Sequence, residues 1–114
     1  MSAPTRVLLV EDDELAATTV MRILARGGRE VRWERTTAEG RATAEEWRPD
    51  VVLLDRRLPD GDGLSLVKAL RRRRPRPRLV VMSGDPLEAA EQRLVDAHLL
   101  KPATVRAVLD AVTG

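Results

Sequence analysis

The segment VVLLD, residues 51–55, runs four apolar residues without interruption into a carboxylate. A continuous apolar run of this length is typical of a strand covered on both faces, as in a parallel sheet. Residues 7–10 and 79–82 have the same form, whereas residues 30–35 alternate apolar and charged side chains. Alternation predicts an edge strand. Residues 97–100 are a shorter fifth candidate.

Helical patterns occupy the gaps between these strands. Thr36 and Glu39 form a capping box that predicts a helix start, and Gly27-Gly28 predicts a helix end. Strand and helix alternate five times, which predicts an α/β fold: a parallel sheet with helices on both faces. The apolar spacing predicts helices over residues 15–24, 36–47, 64–75, 87–94 and 105–112.

Composition excludes several classes of protein. The 114 residues, 43% hydrophobic and 33% charged, predict one folded domain over residues 1–114, without an output domain. The absence of cysteine excludes a disulfide scaffold, and the single histidine, His98, disfavours a histidine-rich metal site. Trp33 and Trp47 are the only aromatic residues, which weakens a role in stacking nucleic-acid bases. No apolar stretch approaches the roughly 20 residues of a membrane span and no signal peptide is recognisable, so we expect a cytoplasmic protein.

Charged and polar residues follow the predicted strands. Because the carboxyl ends of parallel strands meet at one edge of a sheet, we expect these residues to converge there. Close carboxylates raise one another's pKa unless a cation intervenes, and Mg²⁺ is a hard cation that carboxylates hold. The residues in question are Glu11-Asp12-Asp13, Asp55, Ser83-Gly84-Asp85 and Lys101-Pro102.

These motifs, in this order, resemble the CheY-like receiver domain of two-component response regulators. The resemblance also includes residues 58–63, LPDGDG, and covers nearly the whole chain. It implies a three-layer, flavodoxin-like fold with a five-stranded parallel sheet in the order 2-1-3-4-5. It further implies a stand-alone response regulator that signals by binding a partner.

The resemblance assigns a role to four residues near the first and third strands. Asp55 is implied as the phosphoacceptor, which receives a phosphoryl group from a histidine kinase or a histidine phosphotransfer domain. Asp12 is implied as a direct Mg²⁺ ligand, with Glu11 acting through water. Asp55 and the backbone carbonyl of Arg57 complete the implied metal site. The protein is not expected to be a conventional enzyme, but to phosphorylate itself from phosphodonors and to dephosphorylate itself at Asp55.

Two further residues complete the implied catalytic set. Ser83 is expected to hydrogen-bond one phosphoryl oxygen and Lys101 to pair with another. A compact ammonium group suits this role, since phosphoryl transfer asks the protein mainly for positioning and charge neutralisation. The downstream partner is expected at the face formed by the fourth helix, the fifth strand and the fifth helix.

Three features depart from the receiver pattern. Lys101 follows Ser83 by only 18 positions, which predicts a shortened fourth helix. His98 replaces the usual Tyr or Phe, and is either a pH-sensitive or weakened switch or a half-buried structural histidine, the latter being favoured. Arg57 and Asp85 have opposite charge at positions flanking the pocket, so they either form an ion pair that gates access or are two solvated side chains.

Other functions remain open at this point. A pseudo-receiver would bind a partner without phosphorylation, and a phosphorelay intermediate would pass its phosphoryl group to a histidine domain. A haloacid-dehalogenase-like phosphatase is disfavoured because it needs a second aspartate where Arg57 stands. The basic run, residues 71–78, is predicted to be a solvated helix end at the edge opposite the acidic residues, so neither nucleic acid nor a membrane is an expected partner.

Overall fold

The computed structural model describes residues 3–114, in which five strands and five helices alternate. A short two-stranded antiparallel hairpin, Arg57–Leu58 with Gly61–Asp62, interrupts this alternation after the third strand. None of the helices described is long and apolar enough to cross a membrane. The elements are β1 (Arg6–Val10), α1 (Glu14–Ala25), β2 (Glu30–Glu34), α2 (Thr37–Trp47), β3 (Val51–Asp55), α3 (Gly63–Leu70), β4 (Arg78–Ser83), α4 (Ala89–Gln92), β5 (Ala97–Leu100) and α5 (Val105–Thr113).

All five strands form one parallel sheet in the order β2-β1-β3-β4-β5. The predicted fold and strand order are therefore confirmed. Every residue of β3 is buried, as the unbroken apolar run predicts, whereas β2 lies at an edge and alternates in exposure. Val10 of β1 pairs with Leu54 of β3, so the residues that follow them reach the same edge of the sheet.

Alternate side chains of the central strands enter two cores. Leu8, Leu54 and Val81 point to the face covered by α2 and α3. Leu9, Leu53 and Val80 point to the opposite face, covered by α1 and α5. With both faces packed, the central strands are held rigidly, and so are the polar residues at their carboxyl ends.

The third helix ends earlier than predicted, at Leu70 and not at residue 75. The backbone N–H of Arg71 still donates to Val67, but that of Arg73 donates to Leu70 at 3.1 Å, which closes a tighter turn. Pro75 has no backbone N–H, and in a continued helix its ring would clash with the carbonyl of Arg71, four residues earlier, so the helix does not run through the basic residues. The hairpin after β3 was not predicted. The fourth helix is a single turn, as the short spacing predicts.

Candidate functional site

Four side chains from four strands meet at the carboxyl edge of the sheet. Glu11 follows β1, Asp55 ends β3, Ser83 ends β4 and Lys101 follows β5. A cavity of about 520 Å³ opens between the loops that follow β3, β4 and β5, and Asp55, Ser83 and Lys101 line it together with Arg57. The structure therefore brings together the residues that the sequence placed at this edge.

Three carboxylates form the acidic part of the site. One oxygen from each of Glu11, Asp12 and Asp55 lies within 4.8 Å of the others. Glu11 is only 2% exposed. Burial, together with the negative charge of Asp55, raises the pKa of Glu11 to about 7. The cluster is thus short of positive charge.

Neighbouring groups hold Glu11 in this position. Its backbone N–H donates to the carbonyl of Glu34 on β2 at 2.9 Å, which continues the pairing of the two strands. Its carbonyl accepts a hydrogen bond of 2.7 Å from the indole of Trp33, and the guanidinium of Arg35 lies 4.5 Å from the centre of that ring. The Asp13 side chain caps α1 by accepting from the backbone of Leu15 at 3.1 Å. Trp33 is a positioning residue that the sequence indicated only as an edge-strand residue.

Lys101 supplies the positive charge that reaches this cluster. Its Nζ forms an ion pair with Oδ2 of Asp55 and lies 3.7 Å from Oε1 of Glu11. Burial alone would lower the pKa of Lys101, but the hydrogen bond to Asp55 and the two carboxylate charges raise it. The other oxygen of Asp55, Oδ1, accepts from the backbone N–H of Arg57 at 3.1 Å. Both oxygens of the predicted phosphoacceptor are therefore oriented by the protein.

Ser83 takes part in a short chain of hydrogen bonds that the sequence did not predict. Its Oγ lies 2.6 Å from Nε2 of His98 and 2.5 Å from the backbone carbonyl of Asp85. A carbonyl only accepts, so the single hydroxyl proton goes to Asp85 and Ser83 accepts from His98 Nε2–H. Burial and the charge of Arg56 lower the pKa of His98, which favours the neutral imidazole, and the hydrogen bond to Ser83 requires the ring proton to be on Nε2. His98 is half-buried and bonded to a site residue.

The two arginines after Asp55 point in different directions. Arg57 lies 3.6 Å from Asp85, so the predicted contact is present. The two side chains are 91% and 81% exposed. The role of this pair as a gate stays a prediction. Arg56 instead contacts Glu91 of α4 through two hydrogen bonds of 2.6 and 3.1 Å, and Asp62 at 3.4 Å. Arg56 thereby ties the loop after the acceptor to α4. No local pattern indicated this pair, because its members are 35 residues apart.

Gly63 allows the loop after β3 to fold back onto the acceptor strand. A Cβ atom at this position would lie 2.3 Å from the backbone oxygen of Asp55, and the Gly63 N–H donates to Arg56 at 2.6 Å. Only a residue without a side chain fits so close an approach.

Asp60, in the turn of the hairpin, ties the same loop to α2. Its carboxylate accepts from the hydroxyl and backbone N–H of Thr37, at 2.6 and 2.9 Å, and from the N–H of Ala38 at 3.0 Å. The hydrogen bonds from Thr37, followed by that from Ala38, lower the pKa of Asp60 to about 2. The loop that carries Arg57 is therefore attached at both ends.

The donor set fits Mg²⁺. Carboxylate oxygens are hard ligands, and Mg²⁺ is held by one or two of them with water and phosphate oxygens completing its shell. The buried, mutually repelling Glu11 and Asp55 leave charge that a cation would neutralise. Glu11, Asp12 and Asp55 are the residues able to hold it.

Sequence comparison relates this chain to known proteins. The model of the family described as "Response regulator receiver domain" matches residues 7–113. The photosynthetic apparatus regulatory protein RegA of Rhodobacter capsulatus is 33% identical over 111 residues, covering 93% of this chain and 60% of that protein. The acid tolerance regulatory protein ActR of Rhizobium meliloti is 34% identical over 118 residues, covering 96% of this chain and 59% of ActR. The chain thus spans about three-fifths of the length of these relatives.

Solved structures of receiver domains are similar to this fold. A CheY-like receiver domain protein from Methanospirillum hungatei superposes with a TM-score of 0.88 at 27% identity, covering 97% of this chain and 92% of the other. A CheY-like receiver domain from Methylobacillus flagellatus gives a TM-score of 0.87 at 27% identity, covering 96% and 99%.

Proposed function

Since the chain belongs to the response regulator receiver family, we propose that it accepts a phosphoryl group on Asp55 and changes its binding to a partner protein in response. The donor is the phosphohistidine of a sensor kinase or of a histidine phosphotransfer domain. The observation that carries this proposal is the convergence of Asp55, two further carboxylates and Lys101 at one edge of the sheet.

Asp55 is the nucleophile in this proposal. A carboxylate oxygen attacks phosphorus, so that an oxygen–phosphorus bond forms and the nitrogen–phosphorus bond of phosphohistidine breaks. The histidine nitrogen keeps the electron pair, and the ring, which carries a proton on its other nitrogen, leaves as neutral imidazole. Asp55 suits this role because β3 is paired on both sides and both carboxylate oxygens are oriented, one by Lys101 and one by the backbone of Arg57.

We assign Mg²⁺ to Glu11, Asp12, Asp55 and the backbone carbonyl of Arg57. When bound, the ion would neutralise charge on the phosphoryl oxygens. Glu11 and Asp12 contribute negative charge that makes the pocket selective for a cation. Their placement after β1, one residue apart, lets a buried and an exposed carboxylate face the same point.

Lys101 and Ser83 act on the transferred group. The ammonium of Lys101, now paired with Asp55, would move to a phosphoryl oxygen once the Asp55 charge is used in the new bond. The hydroxyl of Ser83 would donate to another phosphoryl oxygen, for which its proton must leave the carbonyl of Asp85. These two movements would shift the loops after β4 and β5, so phosphorylation biases the protein between two conformations.

The partner surface that we propose is the face of α4, β5 and α5. One large apolar side chain is exposed there, Leu100 of β5, at 50%. The loops that carry Ser83 and Lys101 lead directly into this face, so a change at the site would reach it. The proposed place of this reaction is the cytoplasm.

Intact mass spectrometry tests this proposal. Incubation with acetyl phosphate and Mg²⁺ is expected to add one phosphoryl group to the wild-type chain, and none to Asp55→Asn. The matched control is Asp110→Asn, which removes an exposed carboxylate on α5 and is expected to react like the wild type. A wild-type chain that gains no mass, while remaining folded by circular dichroism, would favour the pseudo-receiver.

A further inference from the structure

A second cavity lies at the edge of the sheet opposite the acidic site. Its volume is about 160 Å³, and it sits between the segment that follows α2, residues 48–50, and the connection from α3 to β4, residues 73–77. Five-residue strands rising about 3.3 Å per residue separate the two edges by roughly 17 Å. This cavity is therefore a different site from that of Asp55.

Four arginines surround this cavity: Arg48, Arg73, Arg74 and Arg76. Its remaining lining is mostly apolar, with three prolines, an alanine and a leucine. Asp50 is the single carboxylate among the lining residues, and it already accepts a hydrogen bond of 2.9 Å from a backbone N–H of β1. The cavity is consequently lined by more positive than negative charge.

Two of these arginines pair with carboxylates and two do not. Arg76 is neutralised by Asp96, which it contacts at 3.1 and 3.2 Å. Arg73 forms a longer ion pair with Glu45, at 3.9 Å. Arg74 donates to two backbone carbonyls, which carry no net charge. Within residues 3–114, the guanidinium of Arg48 has neither a hydrogen bond nor an ion pair.

The backbone of Arg48 adds an independent observation. It ends α2 in the left-handed conformation, with φ of 52°, the position that helices usually give to glycine or asparagine. Glycine would adopt this conformation without strain, whereas arginine does not. Arg48 is exposed at this helix end, so its guanidinium is free to bind a ligand at the mouth of the cavity.

We propose that this cavity binds a small anion that carries two or more phosphoryl groups, such as pyrophosphate or the diphosphate part of a nucleotide. Guanidinium groups match phosphoryl oxygens through paired hydrogen bonds. The cavity, about 160 Å³, is large enough for more than one water-sized group. Duplex nucleic acid fits less well, because its phosphates lie on a convex surface and these arginines surround a concave one.

Calorimetric titration of the full chain with pyrophosphate tests this site. The buffer contains no Mg²⁺, which would complex the anion and engage the acidic site. The informative variant is Arg48→Gly, since it removes the guanidinium and relieves the left-handed strain, so loss of folding does not explain a loss of binding. The matched control is Arg106→Ala, which removes the same charge from an 88% exposed side chain on α5.

Wild type and Arg106→Ala are expected to bind pyrophosphate with the same affinity, and Arg48→Gly about tenfold more weakly, the loss of one charged hydrogen-bond donor. Orthophosphate should bind more weakly than pyrophosphate, and amide chemical shifts should move at residues 48–50 and 73–77. Absence of binding by the wild type, or an equal loss in both variants, would overturn the proposal. So would binding of a DNA duplex without binding of pyrophosphate, which would assign the arginines to a nucleic-acid surface.

Discussion

Replacing Gly63 by alanine tests how closely the loop after β3 approaches the phosphoacceptor. The added Cβ would lie 2.3 Å from the backbone oxygen of Asp55, 0.7 Å closer than the 3.0 Å that real Cβ atoms keep. It would also lie 2.9 Å from Cδ1 of Leu54 and 3.2 Å from Cα of Arg56. Two of these three atoms belong to the backbone, so a side-chain rotation cannot relieve the contacts and the loop must move.

Forced contacts of this kind cost about 1–3 kcal/mol of the free energy of unfolding. At about 4 °C per kcal/mol for a chain of this size, Tm should fall by roughly 4–12 °C. Because the displaced atoms belong to Asp55 and its neighbours, the rate of phosphorylation by acetyl phosphate should fall as well. Thermal unfolding by circular dichroism measures the first effect, and mass spectrometry over time the second.

Gly84→Ala is the matched control for stability. A Cβ at Gly84 has no atom within 4 Å, and its backbone is not in the left-handed region, so Tm should stay within a degree or two of the wild type. If Gly63→Ala were as stable as Gly84→Ala and reacted at the wild-type rate, the close approach of loop and acceptor strand described above would be wrong.

Three other features of the site give predictions. Asp60→Ala should lower the free energy of unfolding by about 1 kcal/mol, because it removes the hydrogen bonds to Thr37 and Ala38 at the start of α2. The value is modest because these groups are exposed. The pKa of Asp60 is about 2 in the folded protein and 3.8 in the unfolded chain. The difference in unfolding free energy between wild type and Asp60→Ala should therefore be present above pH 3.8 and vanish as the pH falls through 2. Urea denaturation at several pH values measures it. An unchanged difference at acid pH would contradict it. Arg56→Met should speed hydrogen exchange in α4 by removing both hydrogen bonds to Glu91, whereas Arg57→Met should not; equal exchange in the two variants would exclude the tie. Added Mg²⁺ should raise the Tm of the wild type, because a ligand that binds only the folded state stabilises it, and should raise that of Glu11→Gln less; an equal rise would remove Glu11 from the metal site.

Much of the site was predictable because it depends on topology. Three unbroken apolar runs predicted central parallel strands, and parallel strands place the residues that follow them at one edge. Topology is therefore sufficient to predict that Glu11, Asp12, Asp55, Ser83 and Lys101 lie together. The alternation in residues 30–35 similarly predicted the edge position of β2.

What the sequence did not predict depends on side-chain packing between distant segments. The bonds of Ser83 to His98 and of Arg56 to Glu91 join residues 15 and 35 positions apart, and neither pair has a local signature. The end of α3 at Leu70 lies five residues before the predicted one, because arginines suit a helix well and the ring of Pro75 acts on the carbonyl a whole turn earlier. The need for glycine at position 63 arises only once the loop has folded against β3.

The central claim is that Asp55 itself carries the phosphoryl group, and borohydride trapping tests it most directly. Borohydride reduces aspartyl phosphate to homoserine, so tryptic peptide sequencing of the chain treated with acetyl phosphate and Mg²⁺ locates the modified residue. The account predicts homoserine at position 55, at a yield that falls in Lys101→Met. Homoserine at position 12 or at any other carboxylate, with Asp55 intact, would contradict it.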